Sequence, residues 1–288
     1  MKKEVSPKII YSLSMMIFGT LGLFTRHISL HSGELALYRA ILALLFIVIY
    51  LLTTKQKIDF ESIKKEIPLL LLSGIALGMN WVLLFEAYRY TTISIATLSY
   101  YFAPVIVTIV CPFLFHEELT KKQIICFCMS TLGLIMIIGC DKLQGGQSQL
   151  LGILFGLGAA VFYAGVVILN KTIKNVAGIQ RTFLQFLSSL VILIPYVLLT
   201  ENIQITDLDQ IGWICLVIVG IIHTGFTYCL YFSSLKELTG QEASLLSYID
   251  PLMAVFVSVC ILGESMPFIQ ILGGIFILGF TFINERKA

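Results

Sequence analysis

Apolar residues run through this chain in long unbroken stretches, and those stretches set its architecture. Segments 41–49 and 69–72 are apolar on every side, which suits a helix in hydrocarbon and excludes the two-residue alternation of a membrane barrel strand. A helix needs about 20 mostly apolar residues to cross a hydrocarbon core roughly 30 Å thick. Ten such stretches fit, beginning near Ile9, Gly33, Ile67, Thr92, Lys122, Leu150, Ile179, Ile211, Thr239 and Phe268. The pattern predicts an all-α membrane protein with ten transmembrane helices. The first stretch follows Lys2, Lys3 and Lys8 as a secretory signal would, but Phe24-Thr25-Arg26 offers no small-residue cleavage site. It is expected to remain as helix one.

A second pattern is superposed on the first. Phe85, Thr92, Ala96, Leu98, Tyr101, Pro104, Val110, Glu117 and Gln123 return 147 positions later as Phe232, Thr239, Ala243, Leu245, Tyr248, Pro251, Val257, Glu264 and Gln270. Apolar matches between membrane segments are common, so the weight falls on Thr, Tyr, Pro, Glu and Gln recurring in register. The chain reads as one unit written twice, residues 1–145 and 146–288, joined by the polar stretch 141–149. Five helices per unit is an odd number, so the second repeat is expected to be inserted upside down relative to the first, the arrangement used for alternating access.

Composition agrees: 58% of residues are hydrophobic and only 12% charged, against roughly 25% charged in soluble domains. Most of the nineteen Lys and Arg fall in alternate loops, at positions 2, 3, 8, 55, 57, 64, 65, 121, 122, 171, 174, 181, 236, 286 and 287. That asymmetry places both termini in the cytoplasm. The net charge of +2 reports topology and calls for no nucleic-acid partner. The seven cysteines lie in or at the ends of the spans, and Cys126 and Cys128 are too closely spaced for a zinc pair. No metal or cofactor is expected. Gly74 with Gly78 and Gly152 with Gly156 let helix backbones approach closely, inside the bundle or across a homodimer face.

A charge at the bilayer centre costs on the order of 2.5–3.5 kcal/mol, so each deep ionisable residue calls for a reason. Asp250 lies eleven residues into helix nine, about 16 Å from its start at 1.5 Å per residue and near the midplane. Pro251 cannot donate to the Ser247 carbonyl, and Pro104 does the same to Tyr100, so helices four and nine are expected to kink at one depth. Such kinks suit a site between inverted repeats, or ordinary packing. His223 in helix eight is placed level with Asp250, as a proton relay or as a structural histidine. Arg39 and Glu86 are both placed in the outer membrane, where a pair can hold the ends of a zwitterion or bridge two helices. Asn80 and Trp81 align with Thr227 and Tyr228, and Tyr101, Tyr163 and Tyr248 extend the aromatic set, as a substrate lining or as residues of the water boundary. Glu117 and Glu264 read as caps for the helices that follow them.

Pro104, then Glu117-Glu118-Leu119-Thr120 and Gln123, echoed by Pro251, Gly263-Glu264 and Gln270, resembles the EamA family of the drug/metabolite transporter superfamily. Phe18-Gly19, Arg39, Asn80-Trp81, Ala87, Tyr90-Thr91 and Ser94 match too, while His116, Cys126 and Glu86 depart from the pattern. The resemblance implies a central cavity lined mainly by helices one, three, four, six, eight and nine, with helices five and ten as scaffold. Its members carry amino acids, sugars, nucleotide derivatives and other small metabolites.

No Walker sequence, His-Glu-x-x-His or Gly-x-Ser-x-Gly occurs, so neither ATP hydrolysis nor intramembrane catalysis is expected. The reading is a secondary transporter in the cell membrane for a small polar organic substrate, an amino acid or relative, exported by alternating access with proton coupling open. A lipid-linked flippase, or an uptake carrier for a nucleotide-derived cofactor, is the alternative.

Overall fold

The structure is a computed structural model that describes residues 6–54, 60–115, 120–144, 147–176, 178–201, 203–235, 237–238 and 246–285. The described residues are helical with no strand. In order they form α1 (Pro7–Gly19), α2 (Leu21–Thr25), α3 (Ser32–Thr53), α4 (Phe60–Tyr90), α5 (Ile93–Tyr100), α6 (Ala103–Phe115), α7 (Lys121–Gln144), α8 (Gln147–Thr172) and α9 (Gly178–Thr200). Beyond a short turn come α10 (Gln210–Val217), a π-helical stretch (Ile218–Phe226), α11 (Thr227–Leu235), α12 (Ile249–Phe256), a second π stretch (Val257–Ile261) and α13 (Phe268–Glu285). Among these residues seven helical stretches are long and apolar enough to cross a membrane, and Ile249–Ile261 and Phe268–Asn284 are shorter apolar helices. The expected start of helix nine at Thr239, and Glu117, lie outside the described residues.

The stretch read as helix four is not kinked but interrupted. It stops at Tyr100 and resumes at Ala103, which puts Pro104 in the first turn of α6, where a missing N–H costs nothing. The other interruption repeats this: α12 begins at Ile249 after a bend at Tyr248, with Pro251 in its first turn. The proline ring collides with the carbonyl four residues earlier, so the turn before it cannot be regular. Two further irregularities share the bundle: Thr20 separates α1 from α2, and α10 runs into α11 through nine residues of π helix. The π register is supported by side chains, since Thr224 and Thr227 donate to the carbonyls five residues before them, Val219 at 2.8 Å and Ile222 at 2.7 Å.

Packing pairs the elements across the two halves. α4 lies against α8 and α9, α1 against α11 and α12, α3 against α9 and the first π stretch, α5 and α6 against α8, and α5 against α12. α7 and α13 pack against each other. Loops tie the halves as well: Glu201 accepts the Gly33 and Glu34 amides at 3.0 and 2.8 Å, and Glu66 accepts those of Lys174 and Asn175 at 2.8 and 3.0 Å. Large apolar side chains such as Leu52, Phe113 and Leu199 stay exposed on the outside of the bundle.

All four sequence-marked glycines face neighbours within the bundle: Gly74 and Gly78 meet α9, Gly152 meets Thr91, and Gly156 meets α5. α7 and α13 meet closely at Gly133 and Gly273. A Cβ added at Gly133 would sit 2.6 Å from the Gly273 carbonyl oxygen, a backbone atom that cannot swing away. Gly133→Ala is therefore expected to force α7 and α13 apart at a cost of about 1–3 kcal/mol, read as a lowered thermal midpoint in detergent. An unchanged midpoint would show that the two helices do not pack this closely.

Candidate functional site

The interruptions surround a cavity of about 380 Å³. Its wall is contributed by α1, α2, α3, α4, α5, α8, α9, α11 and α12, and it takes in seven of the sequence-predicted residues: Arg39, Asn80, Trp81, Tyr101, Tyr163, Tyr228 and Asp250. Gly19 brings α1 against this region so closely that a Cβ there would lie 2.5 Å from the Asp250 carbonyl oxygen.

Two charged groups on the wall keep capacity for a ligand. Asp250 accepts a 2.5 Å hydrogen bond from the Tyr101 hydroxyl on its Oδ2, so the carboxylate at one helix interruption is tied to the tyrosine at the other. Arg39, only 3% exposed, donates from Nε to Thr224 Oγ1 at 2.6 Å. Its guanidinium carbon lies 4.7 Å from the Trp81 ring centre and 5.5 Å from that of Phe85, contacts that offset part of the cost of burying the cation. Among the described residues Thr224 is the one hydrogen-bond partner of Arg39, which leaves the terminal nitrogens for a carboxylate, the anion their fork geometry fits.

Aromatic rings fill much of the rest of the wall in two groups. Trp81 meets Phe186 at 5.1 Å, Phe186 meets Tyr228 at 5.2 Å, Tyr228 meets Phe18 at 5.2 Å, and Tyr100 touches both Tyr163 and Tyr101 at 5.2 and 5.6 Å. Edge-to-face pairs of this kind hold the rings in place and present their faces to a planar or apolar ligand. Polar residues on the wall brace the frame: Asn80 donates to the Ala159 carbonyl at 2.8 Å, and Gln185 donates to Ser73 and Asn170 at 2.6 and 2.7 Å.

Other sequence-predicted pairings do not form. Arg39 and Glu86 take separate partners: Glu86 accepts from the Ser32 hydroxyl and from Arg89 Nη1 at 3.4 Å. His223 does not meet Asp250. Its Nε2 shares a 2.9 Å hydrogen bond with Thr20, and its ring lies 4.9 Å from Phe24, so it braces the break between α1 and α2. Tyr248 turns toward Phe282 of α13 at 5.5 Å, and Pro104 and Pro251 shape the wall from behind without lining it.

The cavity also holds residues that sequence reasoning passed over. Arg181, grouped with the loop bases, reaches back to cap α8 through the Val176, Ile173 and Asn170 carbonyls at 2.7, 2.8 and 3.4 Å, and it lines the cavity end near Tyr11 and Leu235. Tyr88 sits between the cavity and a second space of about 420 Å³ that holds Arg26, His31, Arg89 and Gln204. Its spacing of seven residues from Trp81 on α4 is the signal that was available.

The chain resembles known transporters over nearly its whole length. The model of the EamA-like transporter family matches twice, at residues 8–139 and 150–285. An uncharacterized transporter, YxxF, of Bacillus subtilis (strain 168) is 34% identical over 274 residues, 94% of this chain and 87% of that one. Protein PecM of Dickeya dadantii (strain 3937) is 23% identical over 221 residues, covering 75% and 73%. A crystal structure at 15% identity superposes with a TM-score of 0.65 over 96% of each chain. With an all-helical bundle, a polar cavity at its helix breaks and a family match in each half, the chain belongs to the EamA-like transporter family, a drug/metabolite transporter family of multi-pass membrane proteins.

Proposed function

We propose that this protein is a secondary transporter that exports an amino acid or a close relative, binding it in the central cavity and rocking two inverted five-helix halves around it. The single observation that carries this reading is that Arg39 and Asp250, a cation and an anion from opposite halves, line one aromatic cavity. A zwitterion matches that pair: its carboxylate on the free Arg39 nitrogens, its ammonium on the Asp250 carboxylate, its side chain among the rings.

Ten crossings and an inverted repeat are supported by the packing pattern. Under the 147-residue shift the main contacts between the halves match in pairs: α4 with α8 corresponds to α11 with α1, α4 with α9 to the π stretch with α3, and α6 with α8 to α12 with α1. Both termini then face the cytoplasm, as the basic residues direct. Asp250 takes the coupling role that the sequence shared between it and His223, because it alone of the two lines the cavity.

Counterflow in proteoliposomes tests the reading. Labelled amino acids, sugars and nucleosides are offered with and without an imposed pH gradient, and at least one amino acid should exchange in a gradient-dependent way. Asp250→Asn is expected to weaken exchange, because the ammonium loses its carboxylate partner, and to remove the gradient dependence of what remains. Unchanged gradient dependence in that variant would remove Asp250 from coupling, and lipid scrambling with a silent panel would replace export by flipping.

A further inference from the structure

Three segments that line the cavity converge, at the end away from Arg181 and Tyr11, on one side chain. Glu264 follows Gly263, whose φ of +66° turns the chain sharply after the second π stretch. Its Oε2 accepts the Ile93 amide at 3.0 Å, the first amide of α5, and the Ser258 hydroxyl. Its carboxylate also pairs with Arg26, the residue that ends α2. Ser258 in turn accepts the Ser94 amide at 3.3 Å. One carboxylate thus gathers the ends of α2, α5 and α12.

An N-terminal cap of α5 explains one of these bonds, since a carboxylate there satisfies free amides and the helix dipole. It does not explain an arginine from α2 or a buried serine from α12's extension. The Glu264 bonds to Arg26 and Ile93 and the Ser258–Ser94 bond join elements of opposite halves, all are polar bonds that water can replace, and Arg26 is 37% exposed at its side chain. None of Arg26, Ile93, Ser258 or Glu264 lines the central cavity, whose wall runs instead to Tyr11, Arg181 and Leu235 at the other end of the bundle.

We propose that Glu264 is a positioning residue of the transport cycle: it latches α2, α5 and α12 together while the cavity is open at the Arg181 end, and it lets go when the cavity turns over. The latch goes beyond the cargo reading, because it concerns which face the cavity meets and not what fills it.

A single cysteine at Leu21, which lines the cavity just inside the latch, reports access. In a background with the seven native cysteines replaced, a membrane-impermeant thiol reagent is applied from each face in turn. With Glu264 intact, labelling should come almost wholly from the Arg181 face. Glu264→Gln should raise labelling from the Glu264 face severalfold and lower it from the Arg181 face. Arg26→Gln, which keeps both amide bonds, should change both in the same directions by less. A rise from both faces together is general loosening and overturns the latch, as does labelling that Glu264→Gln leaves unchanged. The readout needs no substrate, so a failed latch and a failed cargo assignment are separable results.

Discussion

Replacing Arg39 by glutamine should lower transport and binding of the carried amino acid by about 10- to 150-fold. A hydrogen bond to a charged group contributes roughly 1.5–3 kcal/mol net, and each 1.4 kcal/mol is about a factor of ten in affinity. Arg39 is held where it is by Thr224 on one side and the Trp81 and Phe85 rings on the other, so its free nitrogens are already aimed when the ligand arrives. Lysine should recover little, because an ammonium offers neither the paired donors nor the flat face that stacks on an indole. Stability should respond differently. Thr224 keeps its bond to Val219 after the substitution, and replacing a buried cation that has no ion-pair partner among the described residues relieves its desolvation cost. The thermal midpoint should hold while transport collapses; a protein that unfolds would assign Arg39 to the scaffold.

The second large effect is steric. Gly19→Val is expected to abolish transport and to lower the thermal midpoint. A Cβ at that position would lie 2.5 Å from the Asp250 carbonyl oxygen and 2.6 Å from Met253 Cβ, so α1 must retreat from α12. Overpacking of this kind costs about 1–3 kcal/mol, and here it also disturbs the interruption that carries Asp250 toward Tyr101. Gly19→Ala should act in the same direction with a smaller effect, read by proteoliposome exchange and by thermal unfolding. Wild-type exchange in Gly19→Val would show that α1 does not touch the Asp250 turn.

Much of the fold was legible because membrane helices announce themselves by length. Expected starts at Gly33, Lys122, Leu150, Ile179, Ile211 and Phe268 fall within three residues of the helices that begin at Ser32, Lys121, Gln147, Gly178, Gln210 and Phe268. The exception is α4, which starts at Phe60 rather than near Ile67, since its first turns carry Lys64, Lys65 and Glu66 and give no apolar signal. The site was legible in its residue types and less so in its pairings. Tyr101 and Tyr248 occupy equivalent positions, yet one faces the cavity and the other faces Phe282. A helix that is apolar on all sides carries no moment that fixes its rotation, so facing directions come from packing alone. The same lack of rotational information assigned Glu86 to Arg39 and His223 to Asp250, whereas the structure gives Glu86 to Ser32 and His223 to Thr20. The interruptions were foreseen as kinks because the prolines mark where regular hydrogen bonding fails, without saying on which side of them the chain gives way.

The claim on which the account turns is that Arg39 holds a carboxylate inside the cavity. It is tested most directly by equilibrium binding of the transported amino acid and of its analogue lacking the carboxylate, to the wild-type protein and to Arg39→Gln. The account predicts that losing the carboxylate weakens binding to the wild type about tenfold or more and changes binding to Arg39→Gln hardly at all. An equal loss in both proteins would contradict it.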